Sequence, residues 1–99
     1  MYGTIARLEL KPGMEEAFKR FGEEVNSRTP EGAVTSYVYQ MDAEPNVLYL
    51  VAIFTSKEAY LANAGSPEQN TQYEQLRALL AADPEWHDGT VIYSQAPQA

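Results

Sequence analysis

One eight-residue segment, Val47–Phe54, is apolar at every position except for the hydroxyl of Tyr49. It is rich in the valine, isoleucine and aromatic side chains that favour strands. A strand with one wet face alternates apolar and polar residues, whereas a continuous apolar run is typical of a strand buried on both faces. The segment therefore predicts a strand that is covered on both sides.

Hydrophobic periodicity locates the elements on either side of the first turn. A strand is predicted over Tyr2–Leu10, and a helix with one apolar face follows Lys11-Pro12-Gly13. The apolar positions of that helix, at helical spacing, are Met14, Ala17, Phe18, Phe21 and Val25. A second strand over about Ala33–Met41 and the breaker-rich turn Asp42–Asn46 predict a hairpin with the doubly apolar strand.

Two helical pieces are predicted after the third strand. Thr55 can cap the first piece, which is interrupted near Gly65, and Ser66-Pro67 supplies an N-cap and a proline at the first helical position of the second. The apolar stripe of the second piece is Tyr73, Leu76, Leu79 and Leu80. The turn signal Asp88-Gly89 then leads to a predicted last strand over Thr90–Ser94.

The resulting order, β-α-β-β-α-β, is that of the ferredoxin-like α+β fold. Right-handed crossovers place the helices on one face of a four-stranded antiparallel sheet. We expect one domain over residues 1–95 of the 99-residue chain, with residues 96–99 as a C-terminal tail.

Helices on one face leave the second apolar face of the sheet uncovered. Four exposed side chains of this kind would forgo about 6–12 kcal/mol of burial free energy, which is comparable to the whole stability of a small domain, about 5–15 kcal/mol. We therefore expect a homodimer joined sheet to sheet, a dimeric α+β barrel. Arg7 and Glu9 on this face do not suit a dry interface, and a partly hydrated barrel interior in which they are paired or hydrated would accommodate them.

Composition and charge exclude several classes of function. The formal net charge is −7, and the seven Lys and Arg residues are scattered, which argues against nucleic-acid and anionic-membrane partners. Without cysteine there is no disulfide, thiol nucleophile or thiolate metal site. No segment resembles a signal peptide or approaches the ~20 apolar residues of a membrane span, so a cytoplasmic location is expected.

Two features suggest chemistry. His87, the only histidine, could act as a general base tuned by Asp88 or Glu85, or it could be a polar loop residue beside a turn, with Trp86 as a packing anchor. Several aromatic residues could line a cavity for a flat aromatic ligand, or they could be core. They are Tyr37, Tyr39, Tyr49, Phe54, Tyr60 and Tyr73.

Three segments carry a resemblance to a known family: Gly32-Ala-Val-Thr-Ser-Tyr37, Phe54-Thr-Ser-Lys-Glu-Ala-Tyr60, and Ser66-Pro67 followed by Tyr73-Glu-Gln-Leu76. Over about Tyr2–Tyr93 the chain resembles the antibiotic biosynthesis monooxygenase-like (ABM) domains of the dimeric α+β barrel superfamily. The resemblance implies a homodimer with one pocket per subunit, between the sheet and its helices. Members include cofactor-independent oxygenases of aromatic polyketides or quinols, haem-degrading enzymes and domains with no known reaction.

The residues used by two branches of that family are mostly changed here. The asparagine, tryptophan and histidine of the haem-degrading branch correspond to Ala6, Phe54 and Tyr73. The asparagine, tryptophan and tyrosine of the polyketide-oxidising branch correspond to Leu50, Phe54 and Tyr60, so only the tyrosine is kept.

The predicted function is that of a cofactor-independent monooxygenase acting on an aromatic quinol or polyketide-like small molecule, with no flavin and no metal. His87 is the predicted base, and Tyr60 or Tyr73 is expected to position the ring. The residues expected to bind the substrate are Tyr37, Tyr39, Phe54 and Trp86. The alternative is a non-catalytic small-molecule-binding or interaction domain of the same fold.

Overall fold

The computed structural model describes residues 1–26 and 29–95, and the predicted tail over residues 96–99 lies outside that part. Its strands are β1 (Tyr2–Glu9), β2 (Ala33–Gln40), β3 (Val47–Phe54) and β4 (Glu85–Thr90). Its helices are α1 (Glu15–Asn26), α2 (Lys57–Ala64) and α3 (Pro67–Leu79). In the described part of the chain, no helix is long and apolar enough to cross a membrane.

The strands form one sheet in the order β2-β3-β1-β4, and every neighbouring pair is antiparallel. β1 lies in the centre, with Thr4 opposite Ala52 of β3 on one side and opposite Asp88 of β4 on the other. The predicted four-stranded antiparallel sheet of an α+β, ferredoxin-like fold is thus confirmed.

The two helical pieces after β3 begin at serine caps. Ser66 accepts a hydrogen bond from the Gln69 amide at 3.1 Å, with Pro67 at the start of α3, as predicted. The predicted cap of α2 is one residue off: the Ser56 hydroxyl, not that of Thr55, accepts from the Ala59 amide. The Thr55 amide instead donates to the Gly32 carbonyl, so Thr55 still belongs to the end of the sheet.

The prediction for the last strand is wrong in position. β4 spans Glu85–Thr90 rather than Thr90–Ser94, so His87 lies in a strand and the Asp88-Gly89 pair is not a turn. The extent of β1 explains the difference: β4 pairs with it from Glu85, opposite Arg7, to Thr90, opposite Tyr2. Beyond Thr90 that partner strand has ended, and pairing continues only as far as the bond from the Val91 amide to the Met1 carbonyl.

The hydrophobic core lies beneath the helices at the C-terminal end of β1. Its buried members are Ala6, Leu8, Leu10, Leu48, Leu76 and Leu80, with Phe18 and Phe21 packed against them. Main-chain bonds from the Lys11 amide to Leu79 and from the Ala81 amide to Glu9 hold the end of α3 against this end of the sheet. The core therefore occupies one half of the helix side, and the half around Thr4 is available for a site.

The sheet face opposite the helices, called the open face below, carries apolar side chains exposed in the subunit. Ile5 is 48% exposed, Tyr37 63% and Tyr39 54%. The Arg7 guanidinium lies 3.6 Å from carboxylate oxygens of both Glu9 and Glu85, so the charges on this face are paired as expected. The doubly apolar character of β3 accordingly divides between a helix-covered face and this open face.

Candidate functional site

A cavity of about 1200 Å³ lies between the helices and the Thr4 half of the sheet. Its floor is the helix-facing side of the strands, where the small side chains of Ser36 and Ala52 leave room beside the larger Leu50. α1 packs mainly against α3, so its Phe18 and Phe21 form a wall at the side of the cavity and do not fill it. The arrangement yields a cleft with a mainly apolar lining, bordered by charged and amide side chains of the helices, and one end of it, called the polar end below, carries Tyr60 and Asp88.

The polar end is formed by Tyr60 and Asp88. Tyr60, in the first turn of α2, donates a hydrogen bond of 2.8 Å from its phenol to Oδ1 of Asp88 on β4. Asp88 faces the helices because it pairs with Thr4, whose side chain is buried on that side. Among the described ion pairs, none joins Asp88 to a Lys or Arg, so its negative charge is not compensated by a salt bridge.

The Tyr60 phenol is held in its protonated form. Burial raises the pKa of Tyr60 from 10.0 to about 12, and the hydrogen bond to the Asp88 carboxylate acts in the same direction. The nearby Thr4 hydroxyl opposes this pKa shift, although it does not reach the geometry of a hydrogen bond. At neutral pH Tyr60 is therefore a hydrogen-bond donor to Asp88, and it is not a base.

Aromatic rings surround this polar end. The Tyr60 ring makes edge contacts with Tyr2 and Phe54, at centroid distances of 5.4 and 5.7 Å. Tyr73 of α3 lies 6.5 Å from the ring of Trp86 on β4. Such contacts favour specific ring orientations, and Phe54, Tyr60, Tyr73 and Trp86 from these two clusters all line the cavity that also contains Asp88.

A sequence model of the family described as "Antibiotic biosynthesis monooxygenase" matches residues 1–75. The chain belongs to the ABM family. The matched region includes Thr4 and Tyr60 and ends within α3, so Trp86 and Asp88 lie beyond it. A search of proteins with curated functions finds no match.

Solved structures named "Putative antibiotic biosynthesis monooxygenase" share the fold of this ABM chain. The one from Nitrosomonas europaea is 19% identical, with a TM-score of 0.79 over 94% of this chain and 100% of that one. The one from Chloroflexus aurantiacus is 23% identical, with a TM-score of 0.78 over 96% of each chain. The one from Deinococcus radiodurans is 11% identical, with a TM-score of 0.81 over 100% of each. At these identities the likeness concerns the fold.

Four of the residues expected in the site line the cavity of this ABM domain on the helix side of the sheet, and a fifth, Tyr37, lines it from the edge strand β2. Phe54 and Tyr60 stand at its polar end, and Tyr73 and Trp86 form the neighbouring wall. They come together because Phe54 is at a helix-facing position of β3 and Trp86 is at a helix-facing position of β4, and both strands pair with β1. The two tyrosines are carried by α2 and α3, which cover those strands.

The other three expected residues belong to the open face. His87 lies between Trp86 and Asp88 in β4 and pairs with Ile5, so strand alternation directs it away from the helices. The sheet therefore separates His87 from Tyr60 and Tyr73. Tyr37 and Tyr39 also alternate onto the open face, where the Tyr39 ring stacks on Tyr49 at 6.3 Å, and Tyr37 borders the cavity only along the edge strand.

Sequence reasoning missed Thr4 and treated Asp88 as a partner of His87. The available signal was that Trp86 and Asp88 are two residues apart and so share one face of a strand. This signal becomes informative only if the last strand begins at Glu85. Thr4 alternates with Ala6 and Leu8 along β1, and nothing in that pattern indicates that its hydroxyl is buried without a partner. Across residues 1–26 and 29–95, no group of three or more His, Asp or Glu side chains is arranged to hold a metal ion.

Proposed function

We propose that this ABM domain is a cofactor-independent monooxygenase that oxidises an aromatic quinol or polyketide-like small molecule in the cavity between sheet and helices. The observation that carries the proposal is a cavity whose lining combines one polar pair, Tyr60–Asp88, with the aromatic side chains of Phe54, Tyr73 and Trp86. A mostly apolar pocket with a few convergent polar groups suits a flat ring with a phenolic hydroxyl. The volume of about 1200 Å³ accommodates several fused rings.

The proposed reaction needs no external reductant. A phenol or quinol loses its hydroxyl proton, and the electron-rich anion gives an electron to O2. Recombination forms a carbon–oxygen bond, after which the oxygen–oxygen bond breaks. The ring carbon loses its hydrogen as one oxygen atom becomes a ring carbonyl. The other oxygen leaves as water with that proton and the hydroxyl proton, so the substrate supplies all the electrons. The protein contributes the orientation of the ring and a mainly apolar surface around it.

Tyr60 and Tyr73 are the residues we propose to position the reacting ring, with Phe54 and Trp86 in contact with its faces. Because its pKa is raised, the Tyr60 phenol keeps its proton at neutral pH and its hydrogen bond to Asp88, so Tyr60 contributes a fixed ring and not a base. The sequence predicts His87 as the base. Because His87 lies across the sheet from Tyr60, its role is tested by a substitution of its own.

Oxygen consumption tests the proposal directly. The protein is incubated with a panel of hydroquinones, naphthols and anthrones, and O2 uptake is compared with autoxidation of each compound alone. We expect O2 uptake above autoxidation with at least one fused-ring phenol. The rate of uptake should be lower in Tyr60→Phe and should be retained in His87→Ala. No uptake above autoxidation across the panel would overturn the proposal. Binding without oxygen uptake would indicate a carrier or sensor instead.

We also propose that the protein forms a homodimer through the open face. The exposed apolar side chains of Ile5, Tyr37 and Tyr39 support this proposal, since one subunit leaves them in water. The paired charges of Arg7 suit an interface that retains some water. Light scattering at micromolar concentration should give about twice the 11.0 kDa of one chain. A stable mass of one chain would contradict the proposal.

A further inference from the structure

A buried hydroxyl without a partner lies at the polar end of the cavity. Thr4 lines the cavity and is only 4% exposed, and within the described part of the chain its Oγ1 makes no hydrogen bond. Buried hydroxyl groups in folded proteins nearly always have a partner. The Thr4 hydroxyl is therefore a group whose hydrogen-bonding capacity is left for a molecule entering the cavity.

Asp88 offers a second unused position beside it. Thr4 and Asp88 are directly opposed across β1 and β4, and both face the helices, so their side chains are neighbours on the cavity floor. Tyr60 donates to Oδ1 of Asp88, whereas Oδ2 accepts no hydrogen bond from the described residues. A carboxylate oxygen that can accept thus lies next to a hydroxyl that can donate.

We infer that Thr4 and Asp88 form a subsite for one hydroxyl group of the ligand. The ligand O–H donates to the Asp88 carboxylate, and the same oxygen accepts from the Thr4 hydroxyl. Tyr60 is a positioning residue here, because its hydrogen bond from α2 holds the Asp88 carboxylate of β4 in one orientation. The inference rests on the proposed function for the aromatic nature of the ligand, and it adds the residues that recognise its hydroxyl.

The charge of the subsite determines which aromatic ligands are accepted. Asp88 is exposed in the subunit and has no ion pair with a Lys or Arg among the described contacts, so an anionic ligand would meet a carboxylate of like charge with no neighbouring cation to compensate it. A neutral ring that carries a hydroxyl meets complementary donor and acceptor groups. The subsite therefore selects hydroxylated aromatics over aryl carboxylates of the same size.

Anaerobic calorimetric titration with matched naphthalenes tests the inference without requiring any oxidation. The probes are naphthalene, a methoxynaphthalene that only accepts, a naphthol that also donates, and an anionic naphthoate. At neutral pH we expect the naphthol to bind about tenfold more tightly than the methyl ether, as one hydrogen bond to a charged group allows. The naphthoate should bind most weakly.

Two near-isosteric variants separate the roles. Asp88→Asn should abolish most of the preference for naphthol over its methyl ether and improve naphthoate binding, because the repelling charge is gone. Thr4→Val should weaken both oxygen-bearing neutral probes several-fold and leave naphthalene unchanged. The matched controls are Glu85→Gln, on the opposite face of β4, and Ser36→Ala, which removes another cavity hydroxyl. Circular dichroism checks that each variant is folded.

Three results would overturn the inference. Equal binding of naphthol and its methyl ether would remove the role of Asp88 as acceptor. An unchanged profile in Thr4→Val would mean that the hydroxyl meets only water. Binding of the naphthoate as tight as that of the naphthol would show that the Asp88 carboxylate does not select the ligand. Oxygen uptake is measured separately, so a subsite that binds as expected without turnover would contradict the oxygenase proposal and leave this inference standing.

Discussion

The Tyr60 phenol and the Asp88 carboxylate are joined by a hydrogen bond of 2.8 Å that links the first turn of α2 to the edge strand β4. The two residues are 28 positions apart in the chain. The bond lies at one end of the aromatic cavity. It joins α2, which covers that end, to β4, which forms part of its floor. Tests of the site therefore begin with this pair.

Raising the pH should destabilise the native protein through Tyr60. Its pKa is about 12 in the folded state against 10.0 as its ordinary value, so the folded state holds the phenolic proton more tightly than the unfolded chain. This contribution to stability is complete below pH 10 and is lost as the pH rises toward about 12. Urea unfolding between these limits should show a steeper loss for the wild type than for Tyr60→Phe. Tyr93→Phe, at an exposed position, is the matched control, and identical slopes in all three proteins would refute the assignment.

Removing the Thr4 hydroxyl should stabilise the unliganded protein. Thr4→Val keeps the shape of the side chain and eliminates a buried polar atom without a partner, so we expect a gain of about 1 kcal/mol in the free energy of unfolding. Thermal unfolding without ligand measures it. Thr35→Val, on an exposed position of β2, controls for the preference of valine for strands. A loss of stability in Thr4→Val alone would indicate that the hydroxyl is satisfied, by water for example.

Gly32 and Gly13 separate backbone strain from a steric clash. Both glycines have φ of +82°, a conformation that costs other residues about 1–3 kcal/mol. A Cβ at Gly32 would also meet the Ala59 Cβ at 2.7 Å, whereas no atom lies within 4 Å of one at Gly13. Gly32→Ala should therefore lower the unfolding free energy by more than Gly13→Ala. Because Ala59 belongs to α2, a similar loss in both variants would mean that α2 does not pack this closely against the start of β2.

A charge on the open face should prevent dimer formation. Ile5→Asp places a carboxylate in the middle of the exposed apolar surface, where it would be desolvated by a second sheet. We expect the mass in light scattering to fall to that of one chain. The exposed Ala78 of α3 offers a control, Ala78→Asp, that should leave the mass unchanged. If Ile5→Asp remains a dimer, the subunits associate through another surface.

Local patterns were sufficient for most of the fold. The continuous apolar run of β3 and the one-faced pattern of α1 each identify an element, because the spacing of buried residues follows directly from strand and helix geometry. The serine and proline at the start of α3 act on amides only a few residues away, so their role could be read without tertiary information. The cap of α2 was missed by one residue, since the Thr55 amide is bound by Gly32, a contact distant in sequence.

The composition of the site depended on information that no local pattern contains. In β4 the residues Trp86, His87 and Asp88 alternate, and which of them face the helices is set by the pairing of this strand with β1. A shift of one residue would turn His87 into the cavity and Asp88 out of it. The sequence by itself determined the elements up to α3, the order of the elements and the aromatic side chains that are available to the cavity. Only the tertiary structure decided that Asp88, with Thr4 and Tyr60, and not His87, forms its polar end, because strand register is a contact between distant segments.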